Sequence, residues 1–183
     1  MDIKYMFMCL FVLSGVHTIS STCTRLPMYE RLSKECLRLL TEMGGDFKDR
    51  FIPIPSGYPG RAAHLYKAAS KAKAHDKMVF LYNATHQIVN LFENNTANIL
   101  GSWDQTSLDN LLNVLHRQEK DLQTCAGQTH TGIFKLMKKL QRHFHKVHLF
   151  LQEKNYSQES WEVVRKEVER HLRRMLFLAI SMQ

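Results

Sequence analysis

The sequence predicts an all-α protein, a bundle of about five helices with one long crossover connection. Three observations carry this. Apolar residues recur at steps of three and four through most of the chain, and no stretch shows the alternation of a half-buried strand. No proline follows Pro59, so everything beyond it is free to be helical. The later glycines, Gly60, Gly101, Gly127 and Gly132, fall between the periodic segments.

Helix A is expected over residues 28–43, with Leu32, Cys36, Leu39, Leu40 and Met43 inward and Gly44-Gly45 stopping it. A long loop with Pro53, Pro55, Gly57, Pro59 and Gly60 then reads as a structured crossover. Residues 61–74, rich in Ala and Lys, favour helix but offer no strong core face. Helix B spans 76–92, with Met78, Leu81, Ile88 and Phe92 inward and Asn83, Gln87, Asn90 and Asn94 on the wet side.

Helix C runs from Trp103 or Ser107 to Leu122 on a stripe of Leu108, Leu111, Leu115 and Leu122. Thr106-Ser-Leu-Asp109 reads as a variant capping box at its start. Helix D covers 133–153 and buries Ile133, Leu136, Met137, Leu140, Phe144, Val147 and Leu151. Lys135, Lys138, Lys139, Arg142 and Lys146 charge its outer side. The last helix, 158–180, places Trp161, Val164, Val168, Leu172 and Met175 inward. Arg165, Lys166, Glu169, Arg170 and Arg173 fall opposite, with Glu162–Lys166 and Glu169–Arg173 as i,i+4 pairs. Short loops from B onward imply antiparallel neighbours, while the long A–B loop permits a crossover.

The first residues belong to a different kind of segment. Lys4 precedes an apolar run from Tyr5 to Val16, followed by Thr18, Ser20, Ser21 and Thr22. The run is too short to span a membrane and ends in small residues, as a secretory signal peptide does. Residues 1–22 are expected to be removed, leaving a single domain over 23–183 that is secreted and extracellular.

The formal charge of +8 survives that removal, because Asp2 and Lys4 cancel. Such a balance suits heparan sulfate or an acidic receptor surface, whereas secretion argues against nucleic acid. Beyond the signal, no stretch is long enough for membrane insertion.

Cys9 leaves with the signal, so Cys23, Cys36 and Cys125 remain: one bridge and one cysteine left over. Cys36 sits on the apolar stripe of helix A and reads as a buried free thiol. Cys23 and Cys125 lie at element ends and form the natural pair. Their bridge would close a loop of about 100 residues and contribute about 4–5 kcal/mol. An intermolecular bridge through Cys36 needs an exposure that the pattern argues against.

Catalytic chemistry is missing from the pattern. There is no nucleophile motif, no glycine-rich phosphate loop and no carboxylate pair placed for acid–base work; Glu162 and Glu167 read as helix-surface residues. His143, His145 and His148 are spaced i, i+2, i+5, which does not bring three nitrogens to one helical face, so no metal or cofactor is expected. Three N-glycosylation sequons are present, at Asn83, Asn94 and Asn155. Asn155, in a loop, is the best placed; Asn94 lies at a helix end and Asn83 mid-helix.

The last helix also carries a motif. Ser160-Trp161-Glu162-Val163-Val164-Arg165-Lys166-Glu167 resembles the Ala-Trp-Glu-x-x-Arg-x-Glu signature of type I interferons. Asn90-Leu91-Phe92, Trp103-Asp104-Gln105-Thr106-Ser107-Leu108-Asp109 and Asp121-Leu122-Gln123-Thr124-Cys125 follow the same family's pattern in register. Cys23 and the run Leu37 to Gly45 are similar to the two-cysteine group of fish type I interferons.

The resemblance implies an antiparallel helical cytokine bundle with a long A–B crossover loop. It implies an amino-terminal bridge between Cys23 and Cys125, and no second bridge, since Glu159 stands at one of its positions. It also implies a monomeric antiviral cytokine that joins two class II cytokine receptor chains, a heterodimeric receptor, and signals through JAK–STAT. Arg165 and Arg170 match basic receptor-contact positions, Lys166 and Glu169 share their helix face, and Arg50 matches an arginine of the A–B loop. The competing expectation is a cationic heparin-binding or membrane-active helical protein, for which helix D alone would suffice.

Overall fold

The computed structural model describes residues 26–44, 62–99, 103–126 and 132–182. They form seven helices: α1 Leu26–Gly44, α2 Ala63–Ala69, α3 Ala74–Glu93, α4 Thr96–Ile99, α5 Gln105–Ala126, α6 Phe134–Glu153 and α7 Gln158–Ile180. No strand occurs among the described residues. The expected signal segment, Cys23 and Arg50 lie outside them.

Contacts between helices give the directions. Met43 O accepts the Asp104 N–H at 2.8 Å, while Ser33, ten residues earlier, meets Gln118 at 2.8 Å, so α1 and α5 are antiparallel. His86 reaches Glu119 at 2.6 Å and Glu93 reaches His116 at 2.7 Å, which makes α3 and α5 antiparallel too. Hence α1 and α3 run the same way, and the chain between them crosses the length of the bundle. His143 meets His171 and His148 meets Tyr156, so α6 and α7 are antiparallel. This is the crossover bundle that loop lengths predicted.

The apolar stripes behave as periodicity requires. Leu108, Leu111, Leu115 and Leu122 of α5 and Trp161, Val164, Val168, Leu172 and Met175 of α7 are all buried. Trp161 is fully enclosed, with Trp103 edge-on at 5.5 Å and Phe92 and Tyr156 stacked at 6.5 and 6.4 Å. Centroids at these separations add to the apolar contact among four aromatic side chains. α7 packs against α1, α2, α3 and α6, and α3 packs against α2, α5, α6 and α7, so these two helices hold the bundle together.

Three local details differ from the sequence reading. α2 has a core face after all: Ala62, Leu65, Tyr66 and Ala69 are buried. The α5 cap is Asp104, whose Oδ2 accepts the Ser107 N–H at 2.7 Å, so it lies two residues before the capping box expected at Thr106. The Met43–Asp104 bond holds the chain there and sets where the helix begins. α4, a single turn, was not anticipated; it carries Ile99 into the core.

Cys36 is free and buried, and its Sγ–H points at Gln118 Oε1 at 3.6 Å. Gln118 is itself fully buried and donates to Ser33 Oγ, so a polar contact fixes the register of α1 on α5. Burial pushes the Cys36 thiol up to about 12. Cys125 is disulfide-bonded.

Candidate functional site

The signature segment opens α7. Ser157 caps it, its Oγ accepting the Ser160 N–H at 3.3 Å. From there Trp161 enters the core and Glu162, one residue on, stands at its edge. Glu162 Oε1 accepts the Trp103 indole N–H at 2.6 Å, tying α7 to the start of α5. Its other oxygen, Oε2, pairs with Arg165 at 2.7 Å.

Arg165 is not on the exposed side. It keeps 1% of its surface and lies against the end of α1. Its Nη1 donates to Leu40 O at 2.8 Å and to Thr41 O at 3.5 Å, and its Nη2 donates to Gly44 O at 3.3 Å. The last carbonyls of a helix have no partner within it and carry the negative end of its dipole. A guanidinium from α7 therefore caps α1. This corrects the expectation that Arg165 is a receptor contact: the side chain is committed to the fold. Gly44 is part of the same arrangement, since a Cβ there would fall 2.5 Å from Arg165 Cζ.

Glu167 is a second correction. Only 2% exposed, it is no surface carboxylate, and its Oε2 receives Arg170 Nη1 at 3.0 Å. The remaining expected contacts stay partly accessible. Lys166, Glu169 and Arg170 are half-buried, Arg173 is exposed, and Glu169 pairs with Arg173 at 2.7 Å. Beyond them Phe177 and Ile180 extend the open side of α7 in apolar form. The accessible strip thus runs from Lys166 and Glu169–Arg170 to Arg173 and Phe177.

The chain from residue 26 to residue 181 matches the interferon alpha/beta domain. The chain belongs to the type I interferon family. Interferon a3 of Oncorhynchus mykiss is 34% identical over 177 residues, covering 95% of each chain. Among solved structures, zebrafish interferon 1 superposes with a TM-score of 0.75 at 30% identity, over 86% of this interferon and 98% of that chain. Zebrafish interferon 2 shares the fold with a TM-score of 0.61 at 23% identity, over 80% and 96% of the two chains.

The family is one of helical cytokines acting through receptors, not of enzymes. No helix among the described residues of this interferon is long and apolar enough to cross a membrane. The sequons occupy different settings. Asn155 is exposed in the α6–α7 turn with φ 50°, a left-handed conformation that Asn tolerates. Asn94, at the end of α3, is also exposed. Asn83 does not face open solvent: its Nδ2, the atom a glycan would join, donates to Val79 O at 2.8 Å and lies 3.3 Å from Met137 Sδ. The burial of Arg165 was missed because its charge was weighed above its position: it stands four residues after Trp161 and three before Val168, on the apolar stripe, facing the carbonyl end of helix A at Gly44.

Proposed function

We propose that this interferon is secreted after loss of residues 1–22, joins two class II cytokine receptor chains, and triggers JAK–STAT signalling and antiviral gene induction. The observation that carries the reading is the family match, which spans nearly all of the proposed mature domain, 23–183. Lys166, Glu169 and Arg170 supply one receptor face, on the accessible strip of α7, and Arg50 joins them from the crossover loop. Arg165 is left out of that face, because it caps α1. Charge on the strip guides encounter with an acidic receptor surface more than it adds affinity.

Cys23 is the proposed partner of Cys125, and Asn155 and Asn94 are the glycan sites with accessible side chains. The row Lys135, Lys138, Lys139, Arg142 and Lys146 is exposed along α6 and suits heparan sulfate as an accessory ligand.

The deciding experiment treats receptor-bearing cells of the matched species with refolded Cys23–Gln183 and follows STAT phosphorylation. The expected result is a response at low dose that disappears when either receptor chain is deleted. A folded, bridged protein that evokes none overturns the reading. For the face itself, Arg170→Gln keeps a donor for Glu167 and is expected to lower reporter induction at least about tenfold, as an interface arginine would. Unchanged potency with an intact helical circular-dichroism signal removes Arg170 from the face.

A further inference from the structure

Behind the accessible strip, α7 turns two titratable side chains into the interior. Glu167 and His171 are four residues apart on one helical face, and His143 of α6 comes to meet them. They are 2%, 1% and 7% exposed. His143 Nε2 and His171 Nε2 lie 3.2 Å apart, and Glu167 Oε1 is 3.9 and 3.8 Å from them. The point equidistant from three atoms so arranged lies about 2.1 Å from each, the distance at which Zn2+ takes imidazole nitrogen and carboxylate oxygen. We propose that His143, Glu167 and His171 form a Zn2+ site inside the bundle.

The surroundings prepare the ligands. Tyr66 Oη lies 2.7 Å from His171 Nδ1; in the tautomer with the proton on Nδ1 the phenol oxygen accepts it, and the Nε2 lone pair is left for an ion. Glu167 divides its oxygens: Oε2 takes Arg170 and Oε1 remains for the metal, steadied by the Ala62 N–H at 3.4 Å. Both imidazoles are uncharged near neutral pH. Burial, assisted by His64, Lys146 and Arg174, pushes His143 down to about 4, and burial with His143 and Arg174 pushes His171 well below its ordinary value.

In the metal-free protein one Nε2 donates its proton to the other. On metal binding that proton moves to the ring's own Nδ1, so both rings stay neutral and each offers Nε2. The point lies in the plane of the three ligand atoms, and small shifts of the side chains that lift the ion from that plane open a fourth position to water. The ion joins α6 to α7 and, through Tyr66, orients α2.

Calorimetric titration of chelator-treated full-length mature protein with Zn2+ tests this. One equivalent is expected to bind, and to raise the unfolding temperature with zinc concentration. His143→Ala and Glu167→Gln are expected to abolish the stoichiometric step. Tyr66→Phe, which removes only the orienting group, is expected to weaken it about 10–100-fold. His145→Ala and His148→Ala, outside the site, leave it unchanged. Failure of the wild-type protein to bind one equivalent, or binding that survives His143→Ala, overturns the proposal. Should the core variants fail to fold, the Co2+ spectrum of the wild-type protein decides. Strong visible bands of a four- or five-coordinate ion support the site, and the pale spectrum of six-coordinate Co2+ overturns it.

Discussion

A guanidinium withdrawn from water costs several kcal/mol unless its charge and its donors are matched. Arg165 meets that condition with Glu162 and the carbonyls of Leu40, Thr41 and Gly44. Arg165→Ala is therefore expected to destabilise by about 2–3 kcal/mol, read as a shift in the urea midpoint, because it leaves the half-buried Glu162 carboxylate and three carbonyls without their donor. Arg165→Lys cannot restore the fork that reaches several acceptors at once. Gly44→Ala pushes on the same group and is expected to cost about 1–3 kcal/mol. In an Arg165→Ala background that cost should largely vanish, and a coupling near zero would mean that Gly44 serves something else. These partners were not legible at Arg165 itself. The helical period does turn Arg165 inward, four residues after Trp161 and three before Val168, but it gives no sign of carbonyls more than 120 positions earlier in the chain; His171, three after Val168 and four before Met175, lies on the same stripe.

At the scale of elements, the stripes from Leu108 to Leu122 and from Trp161 to Met175 were legible because burial and helical period coincide there. Where an element is short the period has no room to show. α2 buries Leu65, Tyr66 and Ala69 within seven residues, and α4 is one turn. Boundaries set by tertiary bonds were also hidden, as the start of α5 illustrates. Asp104→Ala is expected to cost about 1 kcal/mol in thermal unfolding, while Thr106→Ala, exposed and away from the cap, should stay within about 0.5 kcal/mol. A larger loss at Thr106 would restore the cap to that residue. For α6, replacing its five outward basic residues with Gln should abolish retention on heparin at moderate salt and leave STAT signalling in place. Loss of signalling would assign that face to a receptor instead.

For the molecule as a whole, the crossover bundle followed from where glycine and proline fall and from loop lengths, and the contacts of α1, α3 and α5 give it the same sense. The interior differs from a purely apolar core. Gln118, Arg165, Glu167 and His171 are all buried, and each sits where two helices must keep register. Cys36 belongs to that interior. With its thiol pushed up to about 12, it should resist iodoacetamide in the folded protein and label only at the rate of unfolding. Prompt labelling would mean that α1 opens away from α5. Cys125→Ser, which removes the disulfide, is expected to cost about 2–4 kcal/mol in denaturant unfolding. An unchanged midpoint would show that the bridge adds little to the bundle.

The packing of α7 against four earlier helices has a consequence for biosynthesis. This helix is translated after every element it supports, yet α1, α2, α3 and α6 all close upon it. While the ribosome is still short of Trp161, Phe92 and Trp103 lack the ring that packs on both, and the end of α1 lacks its guanidinium. Until then the apolar sides that α1, α2, α3 and α6 turn toward α7 have nothing to cover them. The segment bearing the family signature is thus the keystone of the arch, and the bundle closes only when it arrives.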